Sequence, residues 1–236
     1  MNSSQFNDYK SRYRTAIQQV LSEAEPGRLD EAAFPAYSHA NPLINWLFWQ
    51  RLYVVMNYIE RTAPVERVLD FGCGSGVMLP FLAQTSKQVT AMDIDLTPLD
   101  YVQKYIPLES NVQVMEASKS PLSDLPAHTY DFIIALDVLE HVDDLPRTLS
   151  ELINLLKHNG QIIISGPTEN IFYRIGRKFA GPEYSGAYHE RGITEIRKLL
   201  AKQAEIKNIA TLYWPVPLFE IFTGEASKAD HLQVQS

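Results

Sequence analysis

Glycine stands at every second position of Gly72-Cys73-Gly74-Ser75-Gly76, directly after the run Val68–Phe71 with its acid at Asp70. That spacing lets a strand turn sharply into a helix and lets a ligand lie against bare backbone, with free N–H groups facing it. The dinucleotide fingerprint Gly-x-Gly-x-x-Gly would put its third glycine at position 77. This chain has Val77 there, and the third glycine comes one residue early. A second feature is Val-Thr-Ala-Met-Asp-Ile-Asp, in which Asp93 follows Gly72 by 21 residues. A carboxylate at that place can accept two hydrogen bonds from a ribose diol and would repel a 2′-phosphate. It could equally cap the next helix, although Asp95 is better placed for that. A third feature is the apolar run 132–136, which opens into Asp137, Glu140 and His141.

Short apolar runs alternating with helical patterns must position these groups. The expected strands are Val68–Phe71, Gln88–Met92, Val112–Met115, Tyr130–Leu136 and Gln161–Ser165. Between them the pattern predicts helices over Val77–Ala83, Pro98–Tyr105 and Pro146–Lys157, the last stopped by Asn159-Gly160. Such alternation implies a parallel sheet with right-handed crossovers. Beyond it, Thr194 reads as the N-cap of a helix running to about Gln203. Two apolar runs then follow, joined only by Pro215-Val216-Pro217, and so short a join requires an antiparallel pair. The expected fold is α/β: a Rossmann-like, doubly wound, seven-stranded sheet, mostly parallel, with a C-terminal antiparallel hairpin and N-terminal helices. In such sheets ligands sit at the carboxyl ends of the strands, where Asp70, Asp93 and Asp137 would gather. The division along the chain is an N-terminal helical cap or lid over 1–64, the main domain over 65–226, and a tail over 227–236.

Composition narrows the function classes. The net charge of −7 disfavours a chain built around nucleic-acid phosphates. A single cysteine, Cys73, permits no internal disulfide and makes a metal cluster a poor reading, so a reducing, cytoplasmic setting fits. The start of the chain lacks the apolar core of a secretory signal. The longest apolar stretch, Leu43–Ile59, is interrupted by Asn45, Gln50, Arg51 and Asn57, and reads as a helix packed on the sheet.

Taken together these motifs resemble class I S-adenosylmethionine-dependent methyltransferases, and most closely the type 11 group that includes ubiquinone and menaquinone biosynthesis enzymes. Val-Leu-Asp-Phe-Gly-Cys-Gly-Ser-Gly is similar to that family's first motif, Val-Thr-Ala-Met-Asp-Ile-Asp to its second-strand acid, and Leu-Asp-Val-Leu-Glu-His-Val to its fourth-strand motif. The resemblance implies S-adenosyl-L-methionine as cofactor. Asp70 and the loop Gly72, Cys73, Gly74 and Gly76 would hold its methionine end, with Asp137 beside the amino group. Asp93 would bind the ribose, Ile94 would lie on the adenine face, and Glu116 and Ala117 would read the adenine edge, where the family usually has Asp-Ala. His141 would border the site, and His189 is the first choice of general base. Both histidines also have purely structural readings.

The acceptor is expected to be a small, hydrophobic molecule, quinone-, phenol- or lipid-like, methylated at oxygen or carbon. A base is needed only where the acceptor must lose a proton. Residues 166–194 make a long connection, a candidate lid, in which Tyr173, Tyr184 and Tyr188 could line the acceptor pocket or pack the loop. Ile171, Phe172, Ile175 and Phe179 alternate there with Arg174, Arg177 and Lys178, a pattern of a membrane-surface helix or of an ordinary cover helix. A peripheral contact with the inner membrane face is the corresponding expectation; no nucleic-acid partner and no metal are expected. Two other readings stay open. One is an NAD-dependent oxidoreductase, disfavoured by Val77 and by the lack of a Tyr-x-x-x-Lys pair. The other is a cofactor-binding but non-catalytic partner subunit.

Overall fold

The computed structural model describes residues 1–23, 37, 41–62, 64–168, 192–213 and 216–226. Seven strands, β1 (Val65–Phe71), β2 (Ser86–Asp93), β3 (Val112–Glu116), β4 (Tyr130–Leu136), β5 (Leu156–Pro167), β6 (Ala204–Tyr213) and β7 (Pro217–Ala226), form one sheet in the order β3-β2-β1-β4-β5-β7-β6. β1 to β5 are mutually parallel, and β7 runs antiparallel to both β5 and β6. The two C-terminal apolar runs therefore pair as the short join requires. Strand order reverses about β1, so the crevice for a ligand opens between β1 and β4.

Helices α1 (Ser3–Glu23), α2 (Pro42–Thr62), α3 (Leu79–Thr85), α4 (Thr97–Val102), α5 (Leu145–Leu155) and α6 (Ile193–Leu200) cover the sheet. Central strands face apolar layers on both sides, which is why their sequences are continuous apolar runs rather than alternating ones. Val68, Phe132, Ile134 and Ile163 point to the layer of α1 to α4, whereas Leu69, Ile133, Ile162 and Ile164 point to α5 and α6. Helices α1 and α2 share the first of these cores with the sheet. On α1 the buried residues Phe6, Tyr13, Ala16, Ile17 and Val20 make one stripe, and each large side chain stabilises by roughly 1.5–3 kcal/mol on burial. Trp49, Leu52, Val55, Met56 and Ile59 do the same for α2, as expected of a helix laid on the sheet.

Several helix ends differ from the expected ones: α3 runs from Leu79 to Thr85 rather than over 77–83, α4 ends at Val102 rather than Tyr105, and α5 and α6 depart for reasons the packing shows. α5 stops at Leu155, and Asn159-Gly160 lies inside β5 instead of ending the helix. The chain pairs as soon as it leaves the helix, Leu156 opposite Tyr130. A side chain at Gly160 would meet the Tyr130 carbonyl at 2.7 Å, so glycine serves that approach. Gly192, not Thr194, is the N-cap of α6, with no side-chain cap bond, and the helix ends at Leu200. Burying Ile193, Ile196 and Leu200 together outweighs the preference for a capping hydroxyl.

Candidate functional site

The glycine loop leaves β1 and is stitched to β2: the N–H groups of Gly72 and Cys73 both donate to the Met92 carbonyl, at 2.8 and 3.1 Å. Gly72 has φ +76°, and a Cβ there would stand 2.4 Å from Val138, on the turn after β4. The loop thus lies against the fourth-strand motif. Gly74, at φ +51°, has nothing within 4 Å of where its Cβ would be, so its backbone faces open space. Its N–H donates to Asp93 Oδ2 at 2.7 Å. Asp93 Oδ1 accepts from Asp95 N–H at 3.2 Å, and Asp95 in turn accepts Thr97 N–H at 2.9 Å at the entry to α4. Asp95 thus serves the helix start, although Leu96 occupies the cap position, and Asp93 is left to serve the loop.

Asp70, Asp93 and Asp137 all lie at the carboxyl ends of β1, β2 and β4. Asp70 is buried, and burial, reinforced by the Asp93 charge, pushes its carboxyl up to about 7. The same acids and, above all, burial raise the Cys73 thiol, so Cys73 is no thiolate and only its backbone is available to a ligand. Asp137 adopts φ +54°, a left-handed conformation uncommon outside glycine. Its N–H donates to the Ser165 carbonyl at 3.0 Å, Ser165 Oγ donates to Oδ1 at 3.3 Å, and Arg51 forms an ion pair with Oδ2.

Arg51 comes from α2 and is 2% exposed. Its guanidinium lies 5.0 Å from the Phe48 ring centroid and 5.5 Å from that of Phe219, and it donates to the Tyr37 hydroxyl at 3.1 Å. Tyr37 is itself buried, and its carbonyl accepts from Asn45 and Trp49. Three buried atoms here have no hydrogen-bond partner, Arg51 Nε, Arg51 Nη1 and Glu140 Oε2, and of these Nη1 is the one in the ion pair with Asp137. Burial pushes the Glu140 carboxyl up, against its own backbone N–H and the charges of His141 and Arg51. An orphaned cationic donor and an orphaned acidic acceptor beside Asp137 suit a ligand that carries both a carboxylate and an ammonium group.

Ile94 is 77% exposed just past β2, the most exposed large apolar side chain at this edge. Ala117 N–H donates to the Asp93 carbonyl at 2.8 Å, which brings the end of β3 to the same edge. Glu116 is tied to Lys119 at 2.5 Å and to Ser118 at 2.6 Å. Those two bonds hold its carboxyl below the usual range. His141 is exposed on the turn Leu139–His141. His189, Tyr173, Tyr184 and Tyr188, with most of the candidate lid, lie outside the described residues. Among the described residues no group of acids, histidines and cysteine could hold a metal ion.

Sequence reasoning assembled the acids and glycines and missed Tyr9, Tyr13, Tyr37 and Arg51. For Tyr9 and Tyr13 a signal existed: they are four apart and lie on one face of a helix. Arg51 figured only as a charge interrupting an apolar run, although a lone charge within such a run must find a buried partner.

Sheet order, glycine loop and carboxyl-edge acids define a Rossmann-like protein with its candidate site at the carboxyl edge of the sheet. Residues 15–218 match the family model for the methyltransferase domain, and the chain belongs to that family, whose methyl donor is S-adenosylmethionine. Among curated relatives, a ubiquinone biosynthesis O-methyltransferase of Saccharophagus degradans is 32% identical over 131 residues, covering 52% of this chain and 55% of the relative. Another of that name from Xylella fastidiosa is 37% identical over 118 residues, 48% of this chain and 47% of the relative. The chain thus spans about half the length of the curated relatives it matches. Among solved structures, the N-methyltransferase NodS of Bradyrhizobium japonicum with S-adenosyl-L-homocysteine superposes with a TM-score of 0.60 at 16% identity, over 92% of this chain and 99% of that one. The CurJ carbon methyltransferase gives 0.62 at 18% identity, over 97% and 72%. At such identities the structural likeness shows the fold alone.

Proposed function

We propose that this protein transfers the methyl group of S-adenosylmethionine to an oxygen or carbon of a small, hydrophobic, quinone-, phenol- or lipid-like acceptor. The observation that carries the donor half is the convergence of Asp70, Asp93, Asp137 and the Gly72–Gly76 loop on one sheet edge, with orphaned Arg51 Nε and Glu140 Oε2 beside them. Oxygen is the preferred acceptor atom because the relatives named above are O-methyltransferases.

The cofactor supplies an electrophilic methyl on a sulfonium sulfur, so the chain's own residues have mainly to align and to stabilise charge. Asp70 and Asp137 favour the cationic methionine end, Arg51 offers a guanidinium to its carboxylate, and Asp93 accepts from the ribose hydroxyls. Ile94 gives an apolar face to the adenine, and Glu116 and Ala117 border its edge. His189 takes the proton of a hydroxyl acceptor, and His141 borders the pocket. Tyr173, Tyr184 and Tyr188, which lie outside the described residues, are the candidates for contact with the acceptor. No described helix is long and apolar enough to cross a membrane; a hydrophobic acceptor would be met at the cytoplasmic membrane surface.

Titration calorimetry with S-adenosylmethionine, S-adenosylhomocysteine and NAD tests the donor. The expected outcome is binding of the first two and none of NAD. Binding of NAD alone would return the oxidoreductase reading. A screen of quinol, phenol and lipid acceptors with methyl-labelled cofactor tests the acceptor, and binding without turnover on any of them would favour a non-catalytic subunit.

A further inference from the structure

Helix α1 touches the glycine loop through two hydroxyls. Tyr13 Oη donates to the Ser75 carbonyl at 2.5 Å and lies 3.3 Å from Ser75 Oγ, and Tyr9 Oη donates to the Val77 carbonyl. The two rings stack at 6.4 Å and 13°, and Tyr13 meets Trp49 of α2 edge-on at 6.3 Å. Both Tyr13 and Ser75 are 1% exposed. Burial holds both phenols in the neutral, donating form.

The peptide plane explains what these bonds do. The carbonyl of Ser75 and the N–H of Gly76 belong to one rigid unit and point in opposite directions. The carbonyl is held by Tyr13, and that same Gly76 N–H closes the loop's inner turn on the Cys73 carbonyl at 2.8 Å. Within that turn sits Gly74, whose N–H reaches Asp93. Orienting one peptide from α1 therefore orients the turn that presents Gly74 and Asp93 to a ligand. Tyr9 repeats the grip two residues on, just before α3 begins.

We infer that Tyr9 and Tyr13 are positioning residues that clamp the glycine loop in its cofactor-binding shape, so that docking of the N-terminal helix and binding of the cofactor strengthen each other. This rests on the S-adenosylmethionine reading above. Neither hydroxyl needs to touch the cofactor. Each acts through a backbone carbonyl, buried at Ser75 and partly buried at Val77. The coupling must also be reciprocal: whatever factor α1 docking adds to cofactor affinity, the cofactor adds to α1 docking.

The test uses the full chain, wild type and Tyr9→Phe/Tyr13→Phe, which keeps both rings and their packing. S-adenosylhomocysteine affinity is measured by calorimetry, and amide hydrogen exchange of α1 is followed with and without saturating S-adenosylhomocysteine. The double variant should bind about tenfold more weakly, the size expected for two lost hydrogen bonds, one buried and one partly buried. In wild type the ligand should slow exchange along α1, and in the variant it should slow it less. A merely structural role would lower the melting temperature and leave both readouts unchanged, which would overturn the clamp. Wild-type α1 exchange indifferent to the ligand would overturn it as well, and that measurement stands even if the variant does not fold. Wild type that binds no S-adenosylhomocysteine would instead overturn the cofactor reading, and the clamp with it.

Discussion

Asp70 shows the cost of placing an acid where a cation is to bind. Its native pKa of about 7 stands above the ordinary 3.8, so between those values the folded protein holds the proton more firmly than the unfolded chain. Stability then falls as pH rises through that window, and above pH 7 the deficit is on the order of a few kcal/mol. Asp70→Asn should therefore stabilise the cofactor-free protein at pH 8, with no gain at pH 4, in urea denaturation at the two values. The same substitution should weaken S-adenosylmethionine binding, since the anion that favours the cationic end is gone. In wild type that affinity should rise as pH climbs through 7, where Asp70 ionises. Asp93→Ala should weaken binding by about 1.5–3 kcal/mol, the range for hydrogen bonds to a charged group; unchanged calorimetric affinity would remove Asp93 from the site. These acids were legible in the sequence because each ends an apolar strand, and strand ends converge on one edge. The burial that raises Asp70 was not legible, since no local pattern records how deeply a strand end is covered.

The decisive elements are the loop after β1 and the long helix α2. Gly72→Ala would place a methyl 2.4 Å from Val138 in a left-handed backbone conformation. Strain and overpacking together should cost about 2–4 kcal/mol, read as a lower urea midpoint with an unchanged slope. Helix α2 is tied to the end of β4 by the Arg51–Asp137 pair, half of it fully buried. Arg51→Met keeps much of the packing against Phe48 and Phe219 but leaves Asp137 without its cation. A loss of about 2 kcal/mol is expected, less than for a wholly buried pair because Asp137 keeps 22% exposure. Tm measurements on Arg51→Met and Arg51→Met/Asp137→Asn check this, and the second substitution should restore part of the loss. Strand and helix positions were largely readable from period and length: Tyr130–Leu136 matches the expected strand residue for residue, and the other strands extend the expected runs by a few residues. Helix ends were read less well, by two or three residues at α3, α4 and α6, and at Leu155 and Gly192 pairing with β4 or burial on the sheet overrode local capping chemistry.

At the scale of the whole molecule, the N-terminal helices and the sheet form one folded unit, because Phe6, Tyr13, Ile17 and Val20 lie in the same core as Val68, Leu79 and Phe132. Deleting residues 1–23 should expose that core and release the loop carbonyls of Ser75 and Val77. The expected result is loss of the cooperative melting transition, with aggregation visible by size-exclusion chromatography; a monomer that melts like the full chain would contradict it. By itself the sequence determined the alternation of strands and helices, the antiparallel end of the sheet, the glycine turn and the acids at the strand ends. All of these are encoded by neighbours within about twenty residues, through periodicity, turn chemistry and the length of a connection. Only the tertiary structure decided that α1 grips the glycine loop, that Arg51 is the buried partner of Asp137, and that Asp70 holds its proton near neutrality. Those facts depend on side chains from distant segments meeting in a low-dielectric space, which no local pattern records.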